Sequence, residues 1–278
     1  MRAEARIGER PTAGPTGRAV HRAVGRRLTP LGCEDVEVSL CREVRLELNI
    51  NGQSYVTLLG TPGAEKELVL GYLYTEGLFD PREGWPDVRL EERRQGGGLD
   101  SVRARIELPG RETPAETELW KAASGHTSRK TPWTGADRRV ETPATIPAGV
   151  ILDALDALRG HQPIYAETRG VHAVSLHRSD GRFLCCFEDV GRHNALDKVI
   201  GRGLIEGLPL SRAFVLLSGR ASLEMVLKTA RAGIPLLCCI SSPTAQAVET
   251  ADMLNVALVK PESGRTLLVY ANAWRVVC

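Results

Sequence analysis

Three short segments hold most of the residues in this chain that are able to do chemistry. Asp189-Val190-Gly191-Arg192-His193-Asn194, Ser218-Gly219-Arg220-Ala221-Ser222 and Ser241-Ser242-Pro243-Thr244 each follow a continuous apolar run and precede a helical pattern. A helix N-terminus presents unpaired N–H groups and the positive end of the helix dipole, which suits an anion. Gly191 and Gly219 let the main chain come close to a ligand, and Arg192 and Arg220 can fork onto phosphate or carboxylate oxygens. Ser218, Ser222, Ser242 and Thr244 add hydroxyls. The chemistry this favours is binding of a phosphate-bearing ligand, a nucleotide by class. Ser, Thr and Asp at these places also serve as ordinary N-caps, and Gly as an ordinary turn residue. Within the first segment, a cap needs only one of Asp189, Arg192, His193 and Asn194. The pair Asp197-Lys198 reads as a solvent-facing part of the helix that follows. His172 alternates with Val171 and Ala173 in a strand, a setting for a hydrogen-bonded core histidine as well as for a catalyst.

The elements that must position these residues are legible around them. Three strands, 183–187, 213–217 and 235–240, each lead into one of the segments and then into a helix ending near Ile200, Arg231 and Leu254. Apolar strands alternating with helices predict a largely parallel sheet covered on both faces, with all three turns on one edge. A strand from Val171 to Leu176 pairs with the strand from Arg182 through Ser179-Asp180-Gly181, and Ile151, Leu152, Leu155 and Leu158 form a helix before it. Upstream, Val44, Leu46 and Leu48 alternate, Asn51-Gly52 follows, and then Tyr55 to Leu59, which is a hairpin signature. Thr61 is placed to cap the next helix, with Pro62 in its first turn and its end near Gly77.

The 278 residues carry a net charge of +2, with 42% hydrophobic and 25% charged residues. No apolar run reaches the roughly 18 residues of a membrane span, and the bulk charge does not suggest nucleic-acid binding. Residues 1–30 hold seven arginines against Glu4 and Glu9 and have no apolar face, so they read as a basic disordered tail. Residues 31–108 form an α+β region. Residues 109–147, with five prolines and no periodicity, read as a mobile loop or linker, and 148–278 form the α/β domain that carries the ligand. The seven cysteines contain no C-x-x-C, so no metal site is signalled, and unpaired thiols favour a reducing, cytoplasmic setting. Cys185-Cys186 and Cys238-Cys239 lie inside strands, where neighbours point to opposite faces and cannot share a metal. Zinc-assisted nucleotide deamination needs H-x-E and P-C-x-x-C. Here His172 is followed by Ala173-Val174 and Pro235 by Leu236-Leu237, so neither is present.

The run Glu188-Asp189-Val190-Gly191-Arg192-His193-Asn194-Ala195-Leu196-Asp197-Lys198, with Gly201 after it, resembles the hallmark of the FdhD family of formate dehydrogenase accessory sulfur carriers. Ser218-Gly219-Arg220-Ala221-Ser222-Leu223-Glu224-Met225 is similar to that family's S-G-R-x-S-x-E-M, and the resemblance spans about residues 43–275. It implies a cytidine-deaminase-like three-layer α/β/α domain with a smaller α+β region, in a cytoplasmic homodimer. It also implies sulfur accepted from a cysteine desulfurase and passed to a molybdenum (or tungsten) bis-guanine-dinucleotide cofactor. That cofactor then enters the catalytic subunit of formate dehydrogenase. By the same resemblance His172, Asp189, Gly191, Arg192, His193, Asn194, Ser218, Gly219, Arg220, Ser222, Ser242, Thr244, Lys260 and Arg265 contact that cofactor.

The sequence departs from the family where sulfur is carried. The family's S-C-G-x-C-G-K corresponds to Ser124-Gly125-His126-Thr127-Ser128-Arg129-Lys130, so Gly125 and Ser128 stand at the two cysteines. A hydroxyl cannot form a persulfide. The family's T-G-G-x-H becomes Thr168-Arg169-Gly170-Val171-His172. Three functions follow from these readings. The first is a sulfur carrier using Cys33, Cys41 or Cys278, the thiols outside the apolar strands. The second is a chaperone that binds the cofactor or a nucleotide without sulfur transfer. The third is another nucleotide-dependent enzyme with His172 or His193 as acid or base.

Overall fold

The structure, a computed structural model, describes residues 16–93, 100–108, 119–121, 127–129 and 139–278. A short helix, α1 (Thr16–Ala19), enters a two-stranded ribbon of β1 (Val20–Thr29) and β2 (Gly32–Cys41). The basic tail expected over 1–30 is therefore corrected for its second half, and 1–15 lie outside the described residues. The basic charge is balanced across the ribbon: Arg26 meets Asp35 at 2.9 Å and Arg27 meets Glu34 at 2.7 Å. Cross-strand pairs of opposite sign support a strand whose own window looks purely basic.

The Asn51-Gly52 turn joins β3 (Val44–Ile50) to β4 (Gln53–Gly60), with φ of 49° and 79° at the two turn residues. The sheet is completed after α2 (Glu65–Thr75) by β5 (Asp87–Arg93) and β6 (Ser101–Glu107), in the order β4-β3-β6-β5. Leu46, Leu48, Ile50, Ala104 and Ile106 pack one sheet face against Leu68, Tyr72 and Leu73 of α2. Thr61 does not cap α2, which starts four residues later behind Ala64; Thr61 is recruited elsewhere, as shown below.

Backbone pairing joins β7 (Leu119–Lys121) to β8 (Thr127–Arg129). Most of the 109–147 segment expected to be mobile lies outside the described residues. Its end, 139–147, is not a free linker. β9 (Ile146–Pro147) pairs with β16 (Val276–Val277). The buried Arg275 guanidinium donates to the carbonyls of Val140, Thr142 and Ala144 at 2.8–3.1 Å. An aperiodic stretch is thus pinned by an arginine more than 120 residues away, a partner that local pattern cannot reveal.

The remaining chain runs α3 (Ala148–Leu158), α4 (Pro163–Thr168), β10 (His172–Arg178), β11 (Phe183–Asp189), α5 (Arg192–Ile205), β12 (Ala213–Arg220), α6 (Leu223–Arg231), β13 (Leu236–Ser241), α7 (Ala245–Met253), β14 (Ala257–Glu262) and β15 (Thr266–Ala271), before β16. One six-stranded sheet forms in the order β11-β10-β12-β13-β14-β15. It is mixed: β10 and β15 run against the others, while β11, β12, β13 and β14 share one direction. Alternation along the strands divides the core. Phe214, Leu216, Cys238 and Val259 face Ile151 and Leu158 of α3. Val215, Leu217, Cys239 and Leu258 face α5, α6 and α7. The fold is a three-layer α/β/α domain, and Cys238 and Cys239 point to opposite layers as their spacing requires.

The two regions join where α2 lies on α5. A Cβ at Gly71 would stand 1.8 Å from the Asp197 carbonyl oxygen, and one at Gly201 would stand 2.0 Å from that of Glu67. Two glycines thus allow backbone-to-backbone packing of the helices. Gly71→Ala is expected to cost about 2–3 kcal/mol by overpacking, read as a lower midpoint in urea denaturation. A second expectation concerns His177, which bonds Ser175 Oγ at 2.9 Å and stacks on Phe214 with ring centroids 5.2 Å apart. Burial lowers its pKa to about 4, opposed by the Gly181 backbone. The fold therefore favours neutral His177. Its contribution is complete above the unfolded value near 6.5 and disappears as pH falls through about 4, up to about 3 kcal/mol. Acid unfolding of His177→Phe should be correspondingly flatter over that window.

Candidate functional site

Because β11, β12 and β13 share one direction, the N-termini of α5, α6 and α7 all open on one edge of the sheet. β10 runs the other way, so its first residue, His172, comes to the same edge and pairs with Asp189. The hallmark run then divides by depth. Asp189 is fully buried and turned inward. Its Oδ2 stands 2.7 Å from Lys198 Nζ and accepts the Thr61 N–H at 3.0 Å. Its Oδ1 accepts from the Gly191 N–H at 2.8 Å and from Asn194 Nδ2 at 3.0 Å. Asn194 also donates to the Leu59 carbonyl at 2.8 Å, and Lys198 to that of Thr61 at 2.8 Å. Thr61 Oγ1 in turn accepts the Val190 N–H at 3.0 Å. Asp189 and Asn194 are thus corrected as ligand contacts: their bonding capacity is spent in a clasp between β4 and the head of α5. Gly191 faces that clasp too, where a Cβ would lie 3.1 Å from Asn194 Nδ2.

Asp197-Lys198 does not face solvent either. Asp197 accepts from Lys228 Nζ at 2.9 and 3.0 Å and from Thr75 Oγ1 at 2.8 Å, and Lys228 also reaches Glu76 at 3.1 Å. Burial pushes the Asp197 carboxyl up to about 6, opposed by Lys228. The paired carboxylates of Asp197 and Glu76 outweigh desolvation at Lys228 and raise its pKa. Breaking the first clasp with Asp189→Ala would strand buried Lys198 and is expected to destabilise the protein by about 3–5 kcal/mol, measured by chemical denaturation.

What remains at the edge is basic. Arg192 is half-buried at the first position of α5, and its Nε has no hydrogen-bond partner. Burial and the nearby positive charge of Arg220 lower its pKa, with Glu224 acting in the opposite sense. Arg220 ends β12, exposed. Gly219 between them is hemmed in: a Cβ there would come within 3.3 Å of His172 Nδ1 and 3.6 Å of Arg192 Cδ. His172 is kept toward its neutral form by burial and Arg192, with Asp189 opposing. His193 is buried, its Nε2 3.0 Å from Glu224 Oε2 and 3.5 Å from Ser222 Oγ, so it ties α5 to α6. Burial lowers its pKa despite Glu224.

Other candidate residues have other employment. Ser218 Oγ accepts the Ala173 N–H at 2.8 Å. Thr244 is an ordinary cap, its Oγ1 accepting the Ala247 N–H at 3.2 Å. Ser242 is exposed after β13. Lys260 lies near the end of β14, which opens on the same edge. Arg265 reaches across to α3, pairing with Asp153 at 2.7 Å and with Asp156, so its charge is already answered. Gly125 lies outside the described residues, and Ser128 is placed only through the β8 backbone.

Beside the edge opens a cleft of about 1020 Å³, lined by Arg159, Tyr165, Arg169, His172, Ser218 and Pro261 among others. Arg159, Tyr165 and Arg169 were missed as site residues, although Arg169 had a signal in its departure from T-G-G-x-H. No group of three or more His, Cys, Asp or Glu among the described residues is placed to hold a metal ion. No helix among them is long and apolar enough to cross a membrane.

This arrangement was compared with known proteins. The sequence model of the FdhD/NarQ family matches residues 41–277. The chain is 35% identical over 270 residues to the sulfur carrier protein FdhD of Nocardia farcinica, covering 94% of this chain and 96% of that one. It is 33% identical over 245 residues to the protein of the same name from Sulfurisphaera tokodaii, covering 88% and 90%. A crystal structure from Desulfotalea psychrophila, described as a formate dehydrogenase accessory protein, superposes with a TM-score of 0.70 at 23% identity. The match covers 93% of this chain and all of that one. With a family match over residues 41–277 and a relative 35% identical across 94% of this chain, the chain belongs to the FdhD/NarQ family.

Proposed function

We propose that this chain is a formate dehydrogenase accessory protein that carries sulfur to a molybdenum (or tungsten) bis-guanine-dinucleotide cofactor held as cargo at the sheet edge. The observation that carries the binding half is the pairing of Arg192 with Arg220. Two guanidinium groups come near each other at the sheet edge, one on the first residue of α5 and one at the end of β12 ahead of α6, and a buried Nε of one lacks a partner. Such a site is stabilised by an anion that supplies acceptors, and a diphosphate fits it in charge and in bonding. The carrier half is supported by the relatives' names. It works in the cytoplasm, as a homodimer, between a cysteine desulfurase and the catalytic subunit of formate dehydrogenase.

The thiol that carries sulfur is one of three. Burial raises the strand cysteines, Cys185 to about 12 and Cys239 to about 11, with Cys186 and Cys238 raised as well, so none is a ready thiolate. Cys33 and Cys278 are exposed and Cys41 is partly so. A thiolate at one of these attacks the outer sulfur of the desulfurase persulfide, takes that sulfur, and releases the donor's thiolate. Burial raises the Cys41 pKa, which favours the two exposed thiols as first acceptors.

Two measurements test this. Incubation with a cysteine desulfurase and cysteine should add one reductant-labile sulfur per chain by intact mass, and a variant with all three of Cys33, Cys41 and Cys278 changed to Ser should add none. No gain in the parent protein would leave cargo binding alone. Titration with GDP should show binding weakened at least tenfold by Arg192→Ala with Arg220→Ala, without loss of thermal stability; unchanged affinity would remove the site.

A further inference from the structure

The cleft beside the edge holds cationic groups that the clasp and the arginine pair do not use. Arg169 follows α4 with φ of 57°, a left-handed conformation that glycine adopts freely and arginine does not. It stands at the first glycine of the T-G-G-x-H pattern, whereas Gly170 retains the second. Gly170 has a packing reason to stay: a Cβ there would press against Cys41 Cβ at 3.3 Å. No comparable reason accounts for arginine at 169.

The Arg169 side chain is held in place. Its Cζ lies 5.0 Å from the centroid of the Tyr165 ring, a cation–π contact. The turn beneath it is tied by side-chain hydrogen bonds. Glu188 accepts the Ile164 and Tyr165 N–H groups at 2.8 and 2.7 Å, and Thr168 Oγ1 donates to the Ile164 carbonyl at 2.8 Å. The nearby carboxylates are already engaged. Glu167 is taken by Ser39 at 3.1 Å and faces Arg22 at 3.6 Å, Glu188 is spent on α4, and Asp156 pairs with Arg265. Neither Arg169 nor Arg159 has an ion-pair partner among the described residues. His172 connects this wall to the arginine pair, since it lines the cleft and also lies against Gly219 beside Arg192.

We propose that Arg169, assisted by Arg159, both lining this cleft, is a second phosphate contact for the nucleotide bound at this edge. The proposal rests on the reading of the edge as a nucleotide diphosphate site and names a residue that extends it. Arg169 offers a forked donor already oriented by Tyr165, so little freedom is lost when an oxyanion arrives.

The test is Arg169→Gly, which places the residue best suited to φ of 57° and keeps the fold. GDP affinity is expected to fall about tenfold and to depend less steeply on salt, while guanosine affinity and thermal stability hold or rise. Arg169→Lys, which keeps the charge but not the fork, should fall between. GDP affinity unchanged by Arg169→Gly but lost in Arg192→Ala would overturn this contact and leave the site standing. Equal weakening of GDP and guanosine would place Arg169 on the base and overturn the phosphate contact. GDP affinity unchanged by both substitutions would remove the nucleotide site itself.

Discussion

The structure depends on a buried ion pair within the α/β domain, Lys198 with Asp189, whose two members both grip the Thr61 turn of the other region. Removing two charges from water is costly, and their mutual attraction alone does not repay it. Here further bonds are added: Asp189 also receives two backbone N–H groups and an amide, and Lys198 donates to the Thr61 carbonyl. A network with its polar groups satisfied specifies one arrangement. Thr61 is the hinge point, giving its N–H, hydroxyl and carbonyl to the far side.

The helix period explains why one run of sequence serves two purposes. Asn194, Asp197, Lys198 and Gly201 fall on a single face of α5, the one that meets α2 and the Thr61 turn. Leu196, Val199 and Ile200 face the sheet core. Arg192, at the first position, heads the stripe of Leu196 and Val199 but lies beyond the end of the core, at the open edge. The joint between regions and the basic edge are therefore set by one helix, and an error in docking α2 would also misplace Arg192.

The electrostatic balance follows from this division. Carboxylates of the hallmark run are drawn inside, Asp189 and Asp197 answered by lysines and Glu188 by backbone N–H groups of α4, and Arg265 is answered by α3. The positive charge left over stands in two neighbouring places, Arg192 and Arg220 at the sheet edge and Arg159 and Arg169 in the cleft beside it. A chain whose net charge is only +2 thereby concentrates positive charge locally without being a basic protein.

Strand order of apolarity, the Asn51-Gly52 turn and the alternating units were legible in the sequence, because periodicity and turn stereochemistry are local properties. The three turns on one edge followed from them, since strands of one direction must open their helices on one side. Other features needed the fold. The basic stretch over β1 finds its acids on β2, 139–147 finds Arg275, and Thr61 finds Asp189, each through a partner distant in the chain. Which polar residues of the hallmark run meet a ligand was also undecided locally. Residue type states that Asp189, Asn194 and Lys198 can bond, but only the packing of the two regions decides that they bond inward and that Arg192 is left at the open edge.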